Sequence, residues 1–198
     1  MVKAQCFYHE PQAAYILGWT LRQILRELIS GTKLPPIIVC IGTDRSTGDS
    51  LGPLVGTFLQ ERHPDLPVYG TLAEPLHAAN LEEMLGLIRL RHAGRTVVAV
   101  DSALGKEASV GKICVCHGAL RPGLGLNKIL PQIGDVHLMG IIGAGAWNVL
   151  DYLTIQNVKL HLVWQMARVM AEAIEIGAGV RPLAETEAAV ALETYERG

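Results

Sequence analysis

The chain of 198 residues has no run of about 20 uninterrupted apolar residues, the length that a membrane-spanning helix requires. The most apolar segment, LMGIIGAGAWNVL at 138–150, is too short and too rich in glycine for such a helix. The first twelve residues, MVKAQCFYHEPQ, have no apolar core of the kind found in a secretory signal peptide. The expectation is a cytoplasmic protein without a membrane partner.

The chain also lacks an excess of charge of either sign. It has 17 basic and 19 acidic residues, and its formal net charge is −2. Non-specific nucleic-acid binding depends on clustered positive charge that neutralises phosphates, so no nucleic-acid partner is expected.

Cysteine is scarce, with four residues in all: Cys6, Cys40, Cys114 and Cys116. Cys114 and Cys116 form a C-V-C pattern, which is either half of a metal or redox site or a pair of strand positions. Because no second C-x-x-C and no histidine pair at ligand spacing accompanies it, the strand interpretation is favoured. A disulfide framework is not expected.

Three common catalytic or binding motifs are missing. The sequence has neither G-x-G-x-x-G nor G-x-x-x-x-G-K-[ST], which argues against a nucleotide-binding loop. It has no G-x-S-x-G elbow, which argues against covalent catalysis by a serine of the α/β-hydrolase type.

Short apolar runs alternate with amphipathic segments along the chain. This pattern predicts an α/β fold with three layers, helices on both sides of a mostly parallel central sheet. One domain is expected over 1–198, with an N-terminal helix at 12–29 and a tail, 179–198, that is either a surface helix or frayed. The other predicted helices are 51–61, 78–91 and 156–176, and the predicted strands are 37–41, 67–72, 96–100, 110–116 and 135–142.

Two aspartates stand where apolar runs end. Asp49 lies in the loop TDRSTGDSLGPLVG after the first predicted strand, and Asp101 follows the run TVVAV. Because loops at the carboxyl ends of parallel strands converge on one crevice, the two carboxylates are expected to lie close together. Such a pair can share a proton, hold a metal ion, or divide acid and base roles between its members.

Each aspartate also has a purely structural interpretation. Asp49 precedes a predicted helix and is suited to cap its amino terminus. Asp101 follows a buried strand, where aspartate commonly begins a turn. A carboxylate directly after four apolar residues is costly unless it is paired, hydrogen-bonded or functional, and this favours a functional role for Asp101.

A third segment, HGALRPGLGLNK at 117–128, combines polar side chains with closely spaced glycines. Its backbone is suited to approach a substrate main chain, with His117 and Arg121 as polar candidates. An ordinary connection between two strands explains the same residues equally well.

The ordered motifs GTDRSTGDSLGPLVG, VVAVDSALG, LRPGLGLNK and GDVHLMGIIG resemble those of the YyaC-type sporulation proteins, which are related to the germination protease. The resemblance covers roughly 35–166. More distantly, the chain is similar to hydrogenase maturation endopeptidases, which implies their phosphorylase/hydrolase-like fold. The resemblance to the YyaC-type proteins and the germination protease implies an aspartate-dependent endopeptidase in a forespore or spore compartment. Its substrate would be a peptide or protein, such as small spore proteins.

The resemblance also assigns residues. Asp49 in GDSLGP and Asp101 in VDSAL match the essential aspartates of the germination protease pattern. No cofactor is expected. The expected substrate-binding residues are Thr43, Ser102, Arg121, Gly123 and Asn127. In the hydrogenase maturation endopeptidases the corresponding acidic residues bind nickel with a histidine, which implies Asp49, Asp101 and His117 as ligands if a divalent metal is bound.

Two alternatives to an aspartate peptidase stay open. One is a metal-dependent variant of the enzyme. The other is a non-catalytic relative that binds a peptide or protein in the same crevice. The predicted helix at 156–176 is also suited to a homo-oligomer interface, although packing on the sheet is the favoured explanation of its apolar residues.

Overall fold

The computed structural model describes residues 1–29, 34–122, 130–145 and 151–182. These residues form a six-stranded mixed sheet with helices on both faces, in agreement with the predicted three-layer α/β/α class. The strands are β1 (Val2–Phe7), β2 (Ile37–Cys40), β3 (Val68–Tyr69), β4 (Val97–Gly105), β5 (Lys112–His117) and β6 (Val136–Ala144). The helices are α1 (Ala13–Leu28), α2 (Leu51–Arg62), α3 (Leu81–Arg91), α4 (Asp151–Gln156) and α5 (Leu160–Gly177).

The order of the strands across the sheet is β1-β5-β6-β4-β2-β3. Strands β3, β2, β4 and β6 are parallel neighbours, whereas β5 runs antiparallel to both β6 and β1. The carboxyl ends of β2, β4 and β6 therefore meet at one edge of the sheet, and the end of β5 lies at the opposite edge.

Two apolar clusters hold the layers together. The larger one packs α1, α2 and α5 against one face of the sheet, through side chains such as Leu17, Leu54 and Met170. The smaller one packs α3 against the other face, around Val39, Leu85 and Ala99. Residues of one strand alternate between these clusters because successive side chains point to opposite faces. No helix among the described residues is both long and apolar enough to cross a membrane.

Several elements differ from the predictions, whereas the cysteine positions agree with them. The strand β1 was not predicted, although Val2, Ala4 and Cys6 alternate with Lys3, Gln5 and Phe7 in the way a strand requires. The helix predicted over 156–176 begins four residues later, as α5, and the short helix α4 that precedes it was not predicted. Cys114 and Cys116 lie buried in β5 as free thiols, in the strand positions that were favoured.

An ion pair on a buried carboxylate joins α2 to α5. Glu175 is 5% exposed, and its Oε1 lies 3.0 Å from Nη1 of Arg62 and 3.5 Å from Nε2 of His63. Arg62 also stacks over the ring of Phe58, with 5.5 Å between its guanidinium carbon and the ring centroid. The exposed arginine therefore compensates a charge that is itself removed from water.

Replacing Arg62 with alanine is expected to lower the free energy of unfolding by about 2 kcal/mol, below the range for a fully buried pair because Arg62 is partly solvated. The physical reason is that Glu175 keeps its buried charge and loses its main partner. Urea denaturation measures this loss, and Arg89→Ala, which alters an exposed residue on α3, is the control. An equal loss in both variants would contradict the role assigned to the pair.

Candidate active site

Asp49 is placed by a loop, residues 42–50, that links β2 to α2 and folds back on the end of β2. The amide of Thr43 donates a hydrogen bond to the Asp49 carbonyl at 3.2 Å, which closes this Asp49 loop on itself. A glycine at position 42 permits the closure, since its φ is +143° and a Cβ there would lie 1.9 Å from the Asp49 carbonyl oxygen. The main chain of Asp49 is thereby held directly beyond the last residue of β2.

Asp101 lies on the neighbouring strand at nearly the same level. In the pairing of β2 with β4, Cys40 is opposite Val100, and the amide of Ile41 donates to the Val100 carbonyl at 2.8 Å. Asp101 is the next residue of β4 and is opposite Met139 of β6. The two aspartates that the sequence singled out therefore both lie at the carboxyl edge of the sheet, beyond neighbouring strand positions.

Neither structural interpretation accounts for these aspartates. Ser50 is the N-cap of α2, and the described residues show no side-chain hydrogen bond that caps this helix. Asp101 does not begin a turn, because β4 continues beyond it to Gly105 by pairing with β6. The expectation that the strand ends at Asp101 was wrong, since pairing with β6 extends the strand past its apolar run.

The surroundings of Asp101 favour its protonated form. Burial raises the pKa of Asp101 from its ordinary value of 3.8 to about 8. The Ser102 amide, which donates to Oδ1 at 2.8 Å, lowers this pKa, and the charge of Asp49 raises it. Although the side chain keeps partial contact with solvent, the surrounding protein atoms dominate because they cannot solvate a carboxylate as water does.

Asp49 is affected in the same direction. Burial raises the pKa of its carboxyl group above the ordinary value of 3.8. The effect of the Asp49 charge on Asp101 indicates that the two carboxyl groups are within electrostatic reach of each other. Two neighbouring acids of unequal pKa can supply one proton donor and one proton acceptor at the same pH.

The other residues assigned from the sequence are distributed unevenly around this pair. Thr43 is half-buried in the Asp49 loop, and its hydroxyl accepts a hydrogen bond from the Arg45 amide at 3.3 Å. Ser102 is half-buried next to Asp101, with its side chain directed to the opposite face of the strand. Both lie close to the aspartates. Gly123 and Asn127 lie outside the described residues.

His117 and Arg121 follow the end of β5, which lies at the edge of the sheet opposite the two aspartates. His117 is exposed at the end of β5 and is opposite Val136, the first residue of β6, whereas Asp101 is opposite Met139. Three residues along β6 correspond to about 10 Å, and two strand spacings separate the residues sideways. Because β5 is antiparallel, His117 lies away from Asp49 and Asp101. The exposed Arg121, four residues after His117, follows from the same opposite edge of the sheet.

Within the described ranges, no three histidine, cysteine, aspartate or glutamate side chains lie close enough together to hold a metal ion. Two carboxylates without a third ligand do not fit the three-ligand set implied by the resemblance to hydrogenase maturation endopeptidases.

One contact of the site had no counterpart in the predictions. The amide of Gly48, next to Asp49, donates a hydrogen bond to the Ile155 carbonyl of α4 at 2.9 Å. The sequence signal for it is weak, consisting of glycines at positions 48, 143 and 145, which leave room for a close backbone approach.

Comparisons with known proteins agree with the fold and with the resemblance seen in the motifs. The chain is 45% identical over 143 residues to the uncharacterized protein YyaC of Bacillus subtilis (strain 168), covering 72% of this chain and 69% of that protein. Its fold is similar to the crystal structure of the [NiFe] hydrogenase maturation protease HycI from Thermococcus kodakarensis KOD1. The TM-score is 0.52 at 19% identity, with 78% of this chain and 98% of that chain covered.

The likeness to HycI concerns the fold, and the likeness to YyaC concerns sequence over most of the chain. A family model described as a protein of unknown function, DUF1256, matches residues 5–173, a segment that includes both aspartates and all six strands except the start of β1. The chain belongs to the DUF1256 family.

Proposed function

We propose that this protein is an endopeptidase of the germination protease type that hydrolyses peptide bonds with Asp49 and Asp101. The observation that carries the proposal is that both aspartates lie at the carboxyl edge of the sheet within electrostatic reach of each other, with Asp101 favoured in its protonated form. The fold shared with a maturation protease is compatible with this chemistry and does not by itself establish it.

The unequal surroundings of the two acids assign their roles. Asp101, with a pKa near 8, is protonated at neutral pH and donates a hydrogen bond to the carbonyl oxygen of the scissile peptide. Asp49 is assigned the ionised role and takes a proton from the attacking water. The proton of Asp101 then passes towards the leaving amine as the tetrahedral intermediate collapses.

Several parts of the proposal come from the family resemblance and the sequence. The substrates are peptides or proteins, small spore proteins among them, and the compartment is the cytoplasm of the forespore or spore. Thr43, Ser102, Gly123 and Asn127 are assigned to substrate binding by the sequence. Thr43 lies in the Asp49 loop, whereas the Ser102 side chain points to the face opposite Asp101. A net charge of −2 is compatible with peptide substrates and with the absence of a nucleic-acid partner.

Asp49→Asn is expected to lower the rate of peptide hydrolysis by about 10²- to 10⁴-fold, the range for losing a general base. The assay incubates the purified protein with small spore proteins and follows new amino termini by mass spectrometry. Asp65→Asn, which alters an exposed aspartate beyond α2, is the matched control. An Asp49→Asn variant with full activity would rule out Asp49 as the base.

The pH profile of the wild type tests the division of roles. Activity is expected to fall as the pH rises through about 8, because Asp101 then loses its proton. It is expected to fall on the acid side above the usual range for aspartate, because burial raises the pKa of Asp49. A rate that keeps rising above pH 9 would contradict a protonated Asp101.

Hydrolysis is expected to survive dialysis against EDTA, with less than about a twofold change in rate, because the described residues provide only two carboxylate ligands. A rate abolished by the chelator and restored by one divalent ion would instead support the metal-dependent alternative. A protein that binds spore-protein peptides without cleaving them, and still binds after both aspartates are changed to asparagine, would be the non-catalytic relative.

A further inference from the structure

We propose that α4 is the positioning element of the active site and that the contact of Ile155 with Gly48 holds Asp49 beside Asp101. This inference rests on the proposed function for its catalytic consequence. Its structural content, that α4 determines where the Asp49 loop lies, stands on contacts that do not involve a substrate.

Gly48 is packed tightly between the Asp49 loop, α4 and β6. The Gly48 amide donates to the Ile155 carbonyl at 2.9 Å, and Gly48 itself is buried. A Cβ at this position would lie 2.7 Å from the Ile155 carbonyl oxygen, 2.8 Å from Cδ1 of Ile142 and 3.0 Å from Cγ2 of Ile155. The backbone of the loop therefore rests directly on α4 and on β6, with no room for a side chain between them.

On its other side, α4 rests on the ends of the strands that form the site. A Cβ at Gly143 of β6 would lie 3.0 Å from Cγ2 of Thr154 and 3.1 Å from Cδ2 of Leu104. A Cβ at Gly145 would lie 3.5 Å from Oδ2 of Asp151, and the Gly145 amide donates to the Gly105 carbonyl of β4 at 2.9 Å. Since β4 also carries Asp101, α4 contacts both the loop that holds Asp49 and the strand ends next to Asp101.

The Asp49 loop is held at its ends by the Gly42 amide on the Leu76 carbonyl at 2.7 Å and the Ser50 amide on the Ser46 carbonyl at 3.0 Å, and two further backbone hydrogen bonds act at Asp49 and next to it. One is the Thr43 amide on the Asp49 carbonyl, which is internal to the loop, and the other is the Gly48 amide on Ile155, which is external. Among the described residues, no hydrogen bond to the Asp49 carboxylate is seen that would hold it independently. The hydrogen bond of Gly48 to Ile155 therefore sets the distance from Asp49 to Asp101, and a misplacement of about 1 Å can cost a factor of about 100 in rate.

The test compares Gly48→Ala with Gly86→Ala, in which the new Cβ meets no atom within 4 Å. Gly48→Ala is expected to lower kcat for a spore-protein peptide by about 10- to 100-fold with KM within about twofold, because binding groups stay in place while Asp49 moves. Gly143→Ala, whose Cβ meets Thr154 of α4 and Leu104 of β4 but no atom of the loop, is expected to show the same change in kcat. Crystal structures of the variants are expected to show the Asp49 carboxyl displaced relative to Asp101.

The outcomes separate this inference from the proposed function. A folded Gly48→Ala variant with unchanged kcat, or with Asp49 unmoved in its crystal structure, overturns the positioning role. If the wild type hydrolyses no peptide, the proposed function fails, and the crystal structures still decide the inference. If Gly48→Ala does not fold, Gly143→Ala decides it by the same two readouts.

Discussion

Replacing Asp101 with asparagine is expected to abolish peptide hydrolysis and, at the same time, to stabilise the folded protein at neutral and alkaline pH. Loss of the proton donor lowers the rate by about 10²- to 10⁴-fold. The gain in stability follows from the raised pKa, since burial makes the folded protein hold the Asp101 proton up to about pH 8 whereas an unfolded chain releases it near 3.8.

The direction of the pH dependence follows from this difference. The stability associated with the protonated Asp101 is fully present below the unfolded pKa and is lost progressively as the pH rises through the folded pKa. At 1.4 kcal/mol per pKa unit, the loss between about pH 4 and pH 8 is about 2–5 kcal/mol, the lower end allowing for the partial exposure of the side chain. Asparagine cannot ionise, so the variant escapes this loss.

Urea denaturation of the wild type and of Asp101→Asn between pH 4 and pH 9 measures the effect. The two curves are expected to approach each other at pH 4 and to separate as the pH rises, with the variant more stable. Asp65→Asn is the control and is expected to follow the wild type throughout. A variant that is less stable than the wild type at pH 8 would show that Asp101 serves the fold as a carboxylate.

The second large effect is expected at the glycine that closes the Asp49 loop. Gly42→Ala places a methyl group 1.9 Å from the Asp49 carbonyl oxygen and 2.9 Å from Cδ of Pro53, at a φ of +143° that side chains rarely adopt. Overpacking and backbone strain together are expected to cost about 3 kcal/mol of stability. Because Asp49 itself must move, hydrolysis is expected to fall by at least about 100-fold.

Gly94→Ala is the matched control, because Gly94 also has a positive φ, +75°, but a Cβ there meets no atom within 4 Å. It is expected to cost only about 1 kcal/mol, the cost of the backbone conformation alone. The comparison uses the unfolding free energy from urea denaturation together with the hydrolysis rate. Equal losses of stability in the two variants would mean that the contact with Asp49 contributes nothing beyond the positive φ.

Local sequence patterns were sufficient for the elements that form the parallel part of the sheet. The apolar run at 37–41 and the β-branched run at 96–100 correspond to β2 and β4, and the periodic segments at 12–29 and 51–61 correspond to α1 and α2. These patterns carry the information because burial of a strand on both faces, or of one helix face, is recorded directly in residue spacing. The adjacency of Asp49 and Asp101 followed from them, since parallel strands bring their carboxyl ends together.

Features that depend on partners distant in the sequence were missed. The strand β1 exists because Val2–Phe7 pairs with β5 more than a hundred residues later, and the extension of β4 past Asp101 exists because it pairs with β6. The position of His117 depends on the direction of β5, which its apolar residues do not encode. An alternating run fits a parallel or an antiparallel neighbour equally well.

By itself, the sequence determined the α/β class, most of the helices and strands, the family and the two acidic residues of the candidate site, because each of these is written in local periodicity or in ordered motifs. Only the tertiary structure decided that His117 and Arg121 lie towards the far edge of the sheet, that burial raises the pKa of Asp101, and that α4 contacts the Asp49 loop. These depend on strand direction, on the protein atoms that replace water, and on backbone contacts between distant segments, none of which residue spacing records.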